Sequence, residues 1–121
     1  MLDIHTDKLL ICGSRSIDFI NLDNYLRPDC CNALIAGGAR GIDTIAEKWA
    51  KRHNIKTEIY KAEWDKYGKS AGMKRNKIMV DKADFVLAFW DGKSHGTLNS
   101  IEYAKQKNIP TIIIKILFDN I

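Results

Sequence analysis

The chain reads as a three-layer α/β fold of the doubly wound type, with a five-stranded parallel sheet covered by helices on both faces. Three observations predict it. Five short apolar runs are separated by stretches of helical periodicity. The first and fourth runs are apolar almost throughout, as strands covered on both faces must be. Glycine-bearing loops follow the first, second and fourth runs.

The strands are expected at Lys8–Cys12, Ala33–Ala36, Lys56–Lys61, Phe85–Trp90 and Thr111–Ile116. Runs of about four to eight residues, rich in branched and aromatic side chains, fit strands better than helices. Asp18–Tyr25 reads as a short helix ending before Pro28, which cannot continue one. Gly41–His53 sets Ile42, Ile45, Ala46, Trp49 and Ala50 on one apolar stripe. Ser70–Lys82 carries Ile78 and Met79 among lysines and so has a wet face. Thr97–Lys107 aligns Leu98, Ile101 and Ala104 and stops before Asn108 and Pro110. Parallel neighbours need right-handed crossovers, which these helices supply. The third run alternates, Thr57 and Ile59 against Lys56, Glu58 and Tyr60, which suits an edge. The order 3-2-1-4-5 follows. It places the topological switch point between strands one and four, where open α/β sheets bind ligands at the carboxyl ends of strands.

Composition bounds the rest. The 121 residues, 45% hydrophobic and 28% charged, match one ordinary globular domain spanning 1–121. No apolar run approaches the roughly 20 residues of a membrane helix, and Met1–Asp7 lacks the pattern of a signal peptide. A cytoplasmic protein without membrane partners is expected. Cys12, Cys30 and Cys31 are read as reduced thiols, since adjacent cysteines rarely bridge. His5, His53 and His95 share no metal-like spacing, and neither a metal nor a cofactor is expected. The net charge of +4 favours anionic ligands mildly.

Three loops meet the switch-point rule: Gly13-Ser14-Arg15-Ser16, then Gly37-Gly38-Ala39-Arg40-Gly41-Ile42-Asp43, then Asp91-Gly92-Lys93-Ser94-His95-Gly96-Thr97. Glycines allow close backbone approach, and a helix start after each loop aims free N–H groups at an anion. Any one such turn has a purely steric explanation; three at one sheet edge predict a shared anion site. A further cluster runs from Glu63-Trp64-Asp65-Lys66-Tyr67-Gly68 to Gly72-Met73-Lys74-Arg75-Asn76. Trp64 and Tyr67 could stack on a base or pack as ordinary aromatics. Arg75 and Asn76 offer a charged fork and an amide to phosphate or sugar. Gly68-Lys69-Ser70 and Gly92-Lys93-Ser94 mimic the end of a P-loop, but neither Glu63-Trp64 nor Leu87-Ala88 supplies its first glycine. Gly-x-Gly-x-x-Gly is also missing after strand one, so the usual dinucleotide fingerprint is absent.

Gly13-Ser14-Arg15, Gly37–Asp43, Trp64-Asp65-x-Tyr67-Gly68, Gly72-x-x-Arg75-Asn76 and Gly92-x-x-x-Gly96-Thr97 together resemble the YspA-type branch of the SLOG superfamily. The resemblance implies a Rossmann-like sheet and a pocket for nucleotides or nucleotide-derived ligands. Arg75 followed by Met79-Val80-Asp81-Lys82-Ala83-Asp84 is also similar to the "Lonely Guy" phosphoribohydrolases. The glutamate those enzymes carry three residues after their threonine is Ser100 here, beside Asn99, and Glu102 falls on another face of the helix. Asp43, Asp65 and Asp91 are the carboxylates left to replace it. Ala39–Asp43 is similar to the DprA-like DNA-processing group as well.

Three functions follow. The first is a nucleotide-binding protein for sensing or sequestration, using Gly13, Ser14, Arg15, Gly37, Gly38, Arg40, Gly41, Asp43, Trp64, Arg75, Asn76, Asp91, Gly92, Ser94, Gly96 and Thr97. In it Asp43 meets a ribose hydroxyl or caps its helix, Arg75 pairs with phosphate and Asn76 orients it. The second is a hydrolase of nucleotide N-glycosidic bonds working through Arg75 and Asp43. The third is a single-strand nucleic-acid binder, ranked lower because Lys66, Lys69, Lys74 and Lys77 are interspersed with acids. The apolar tail (Ile116, Leu117, Phe118, Ile121) favours a homodimer.

Overall fold

The computed structural model describes residues 1–116. Its strands are β1 (Thr6–Gly13), β2 (Cys31–Ala36), β3 (Lys56–Ile59), β4 (Phe85–Trp90) and β5 (Thr111–Lys115). Its helices are α1 (Ile42–Arg52), the single turn α2 (Trp64–Tyr67), α3 (Ala71–Lys82) and α4 (His95–Gln106). All strand pairs are parallel, in the order β3-β2-β1-β4-β5. The register sets Leu10 of β1 beside Ile35 of β2 and Val86 of β4.

The alternation of the strands divides the core in two. Leu9, Ile11, Leu34, Leu87 and Phe89 face Ala46, Trp49 and Ala50 of α1. Leu10, Cys12, Ile35, Val86 and Ala88 face Met79 and Val80 of α3 and Ile101 and Ala104 of α4. Both faces of β1 and β4 are therefore apolar because both are covered. Each wholly buried Leu or Ile contributes about 1.5–3 kcal/mol. The edge strand β3 is only partly buried, as its alternating pattern requires.

Several boundaries differ from expectation. No α-helix forms over Asp18–Tyr25, where a single 3-10 turn, Leu22–Asn24, stands instead. Asn21 accepts the N–H of Asp23 with its side chain, Leu22 and Leu26 are buried, and Phe19 is 83% exposed. Phe19, Leu22 and Leu26 would share one face of a helix, yet Phe19 points to solvent while the two leucines are buried, and the segment packs as a loop. The third strand ends at Ile59, short of Lys61. Before α3, the turn α2 and a 3-10 turn at Gly68–Ser70 occupy a stretch expected to be irregular. Finally α4 starts at His95, two residues early, because the Ser94 side chain accepts the N–H of Thr97 and caps it. Leu117, Phe118 and Ile121 of the apolar tail lie outside the described residues. No helix among those described is long and apolar enough to cross a membrane.

Trp49 anchors one layer. It is wholly buried, and its Nε1–H donates to Asp23 Oδ1 at 2.8 Å. That bond, joined by one with His53, holds the Asp23 carboxyl below its ordinary range. Trp49→Ala is expected to lower stability by about 3–5 kcal/mol in urea unfolding. Trp49→Phe keeps most of the volume, loses the N–H, and should cost about 1–2 kcal/mol. An alanine variant as stable as the parent would contradict this packing.

Candidate functional site

A cavity of about 560 Å³ opens at the carboxyl ends of β1 and β4, the topological switch point. The loops after β1, β2 and β4 converge on it, and one face of α3 closes it. Two of its glycines are there for steric reasons. A Cβ on Gly13 would lie 2.5 Å from the Ile42 side chain and 2.7 Å from the Phe89 carbonyl oxygen. Gly41, at φ 76°, brings its backbone against the carbonyl oxygens of Ser14 and Arg15. The first and second loops are thereby pressed together.

Arg75 and Asn76 clasp the other side. Arg75 Nη1 donates to the carbonyl oxygen of Gly37 and, at 3.3 Å, to that of Tyr60. Its Nε donates to Asn76 Oδ1 at 2.9 Å, and Asn76 Nδ2 reaches the Gly96 carbonyl at 3.4 Å. One side-chain pair thus joins the ends of β2 and β3 to the starts of α3 and α4. Burial lowers the Arg75 pKa, with Asp43 opposing that shift. The expectation was that Arg75 would pair with phosphate and Asn76 orient the ligand. In the structure Arg75 Nε and Nη1 are bonded within the protein, where Asn76 orients the group, and the side chain also lines the cavity.

Two carboxylates hold the loops. Asp43 is 7% exposed, and its Oδ2 accepts the Ala39 N–H at 3.1 Å. Burial raises its pKa, countered by Ala39, Arg75, Arg15 and the Gly37 amide. Asp91 Oδ2 accepts the Ser16 hydroxyl at 2.7 Å, and Oδ1 accepts the N–H groups of Lys93 and Ser94, each at 2.8 Å. The Asp91 N–H in turn donates to Ser14 Oγ at 3.1 Å. Four of the loop amides expected to cradle an external anion, those of Ala39, Asp91, Lys93 and Ser94, are therefore bonded to internal acceptors. With no α-helix after β1, the first loop also lacks a helix terminus. Side chains bring positive charge to the cavity: Arg15, Arg40, Lys69 and Arg75.

Of the residues singled out in the sequence, Gly13, Arg15, Arg40, Asp43, Trp64, Arg75, Asn76, Asp91, Ser94, Gly96 and Thr97 line this cavity. Gly37 and Gly38 line an adjoining one. Ser14 is buried behind the wall, Gly41 packs against the first loop, and Gly92 faces Lys115. These three shape the site without lining it. Trp64 is 52% exposed at the rim and crosses Gly72, so it is not a core aromatic. Gly96 is different from the other glycines that line the two cavities: a Cβ there would meet nothing within 4 Å.

The cavity floor was missed. Cys12, Met79 and Ser100 form part of it, with Gly72 and Met73 on the wall. Their signal was helical spacing: Gly72, Asn76 and Met79 share a face of α3, as Thr97 and Ser100 do of α4. Burial pushes the Cys12 thiol up to about 12, so it stays protonated. Ser100 donates to the Gly96 carbonyl at 3.4 Å, while Glu102 is exposed elsewhere. Among the described residues no cluster of three His, Cys, Asp or Glu could hold a metal ion.

The fold and cavity define a class, a Rossmann-like α/β domain with a cationic cavity at its switch point. Comparison narrows it. The model of the YspA, cpYpsA-related SLOG family matches residues 8–67. Gene 61 protein of Mycobacterium phage D29 is 41% identical over 85 residues, covering 65% of this chain and 68% of that protein. The SPbeta prophage-derived protein YoqJ of Bacillus subtilis (strain 168) is 37% identical over 70 residues, 48% of this chain and 41% of that one. The chain belongs to the YspA, cpYpsA-related SLOG family. Among solved structures, DNA processing protein A from Helicobacter pylori, described for its single-stranded DNA binding mode, superposes with a TM-score of 0.66 at 18% identity. The match covers 88% of this chain and 64% of that one, and it shows a shared fold.

Asp91 supplies a pH test of the loop geometry. Hydrogen bonds from Ser16 first, then from Lys93, Ser94 and Ser14, bring its pKa down to about 2. In the unfolded chain an Asp titrates near about 3.9. A carboxyl depressed by folding stabilises fully above its unfolded value, and that contribution is lost as pH falls from about 4 through about 2. Asp91→Asn should cost about 1 kcal/mol near neutral pH. The gap between parent and variant should stay constant down to about pH 5 and close on further acidification. A gap that widens in acid would overturn the assignment.

Proposed function

We propose that this chain is a cytoplasmic, single-domain protein that binds a nucleotide or nucleotide-derived ligand at the carboxyl edge of its sheet, for sensing or sequestration. The observation that carries this is the cationic cavity itself. Four basic side chains, an exposed indole and an open glycine surround a space within the roughly 300–1,000 Å³ of small-ligand sites. Arg15 and Arg40 take the phosphate through charge-assisted hydrogen bonds. Trp64 offers a ring face to the base, and Ser94, Thr97 and Ser100 offer hydroxyls to sugar or base edges. Arg75 and Asn76 position the walls. The cavity draws its walls from one chain, so binding does not depend on the homodimer expected from the apolar tail.

Binding without turnover agrees with the chemistry of the walls. Ser100 stands where a phosphoribohydrolase would carry its glutamate, and Asp43 and Asp91 are each bonded to loop groups. A second reading, single-stranded nucleic acid, is favoured by the ammonium groups of Lys66 and Lys74 lying 5.0 and 4.8 Å from the ring centre of the exposed Tyr67. It is also favoured by the likeness to a DNA-binding protein. It takes second place because the cavity, not that surface, gathers the three loops.

A nucleotide at 100 times its Kd should stabilise the protein by about 2.7 kcal/mol in thermal unfolding. Arg15→Ala together with Arg40→Ala should abolish that shift. Base release that depends on Asp43 would instead establish the hydrolase. Gly96→Leu separates binding from folding: the residue is helical and its missing Cβ faces open space. The variant should match or slightly exceed parental stability and bind at least about tenfold more weakly. Unchanged affinity in that variant would move the ligand out of this cavity.

A further inference from the structure

A second cavity, of about 620 Å³, opens beside the first and shares Arg15, Arg40, Trp64 and Arg75 with it. Either lobe alone suffices for an ordinary small ligand, roughly 300–1,000 Å³. Their linings differ. The carboxylates Asp43 and Asp91 and the hydroxyls of Ser94 and Thr97 belong to the first lobe only. The second lobe adds Gly37, Gly38, Lys61 and Ala62 to the shared cations and holds no carboxylate. At the waist between the lobes stand Arg15 and Arg40, both exposed. Among the described residues no ion pair neutralises Arg15, Arg40 or Lys61. Arg75, by contrast, is held by the Gly37 and Tyr60 carbonyls and serves as fixed wall.

Two small-ligand volumes joined at a pair of unpaired guanidinium groups fit a ligand with two bodies and negative charge between them. We propose that the ligand consists of two nucleotide units joined through phosphate, one unit in each lobe, with the bridge at Arg15 and Arg40. The inference rests on the nucleotide reading above and names its ligand class. The half-exposed indole of Trp64 borders both lobes and stacks on a base. Lys61, whose stem packs over Gly38, supplies the cation reserved for the second unit. The same chemistry comes from a free dinucleotide or from a strand of nucleic acid. Two lobes, each of small-ligand size, match two units and favour the free molecule over a longer strand.

Titration calorimetry of the intact protein with AMP, with diadenosine pyrophosphate and with a single-stranded oligodeoxyadenylate about 20 nucleotides long tests this. Diadenosine pyrophosphate should bind at least about tenfold tighter than AMP, since the second unit binds as a tethered group. Lys61→Glu, at an exposed position and checked for a native circular-dichroism spectrum, should narrow that gap to under about threefold. Equal affinities for AMP and the dinucleotide, or a gap that Lys61→Glu leaves intact, would overturn the two-unit ligand while the nucleotide reading stands. Failure of both AMP and dinucleotide to bind would remove both. An oligonucleotide bound at least about tenfold tighter than the dinucleotide, with steep salt dependence, would replace the free molecule by a strand and overturn the proposal.

Discussion

A guanidinium drawn into the protein needs acceptors, and the site is organised around the acceptors that Arg75 finds. The carbonyls it reaches, Gly37 and Tyr60, stand just beyond the ends of β2 and β3. Asn76 carries the linkage on to the first turn of α4. Four elements distant in sequence are thus referred to one planar group. Gly37 follows from that constraint, because a Cβ there would lie 2.6 Å from Arg75 Nη1 and 2.8 Å from Asp43 Oδ2. Breaking one partner of such a buried polar set leaves the others unsatisfied, which costs more than the bond itself contributes.

The same economy of partners explains how the cavity stays open. Loop amides left bare would compete for water or collapse on one another. Asp43 takes the amide of Ala39, and Asp91 those of Lys93 and Ser94. These bonds restrain the second and third loops, which lowers the ordering cost of any binding there. In the proposed binding, attraction comes from the cations Arg15, Arg40 and Lys69 that line the cavity. On the proposed reading, folding and recognition fall to different groups, so substitutions at the rim change one without the other.

This division also bears on chemistry. Hydrolysis at a glycosidic carbon calls for a carboxylate free to meet developing positive charge. Asp91 is held as an anion by four loop groups, and Asp43 is buried against the Ala39 amide. The Rossmann-like fold that this chain shares with DNA processing protein A does not alter that, since function resides in the site and not in the sheet.

Much of the architecture was legible in the chain. Apolar runs with opposite faces equally hydrophobic, as in Leu9–Cys12 and Val86–Phe89, require cover on both sides, and that requirement sets β1 and β4 at the centre. Glycine loops after three strands located the edge where the cavity lies. Periodicity failed where partners were distant or local capping intervened: at Asp18–Tyr25, which packs as a loop, and at Ser94, which advanced the start of α4. The functions of Arg75, Asp43 and Asp91 within the wall could not be read from residue type, because an arginine or aspartate offers the same groups to a ligand and to a neighbouring loop. Only tertiary structure decides which it meets. Local sequence determines backbone preference and facing, whereas the partner of a charged group depends on which segments, dozens of residues apart, fold within about 3 Å of it.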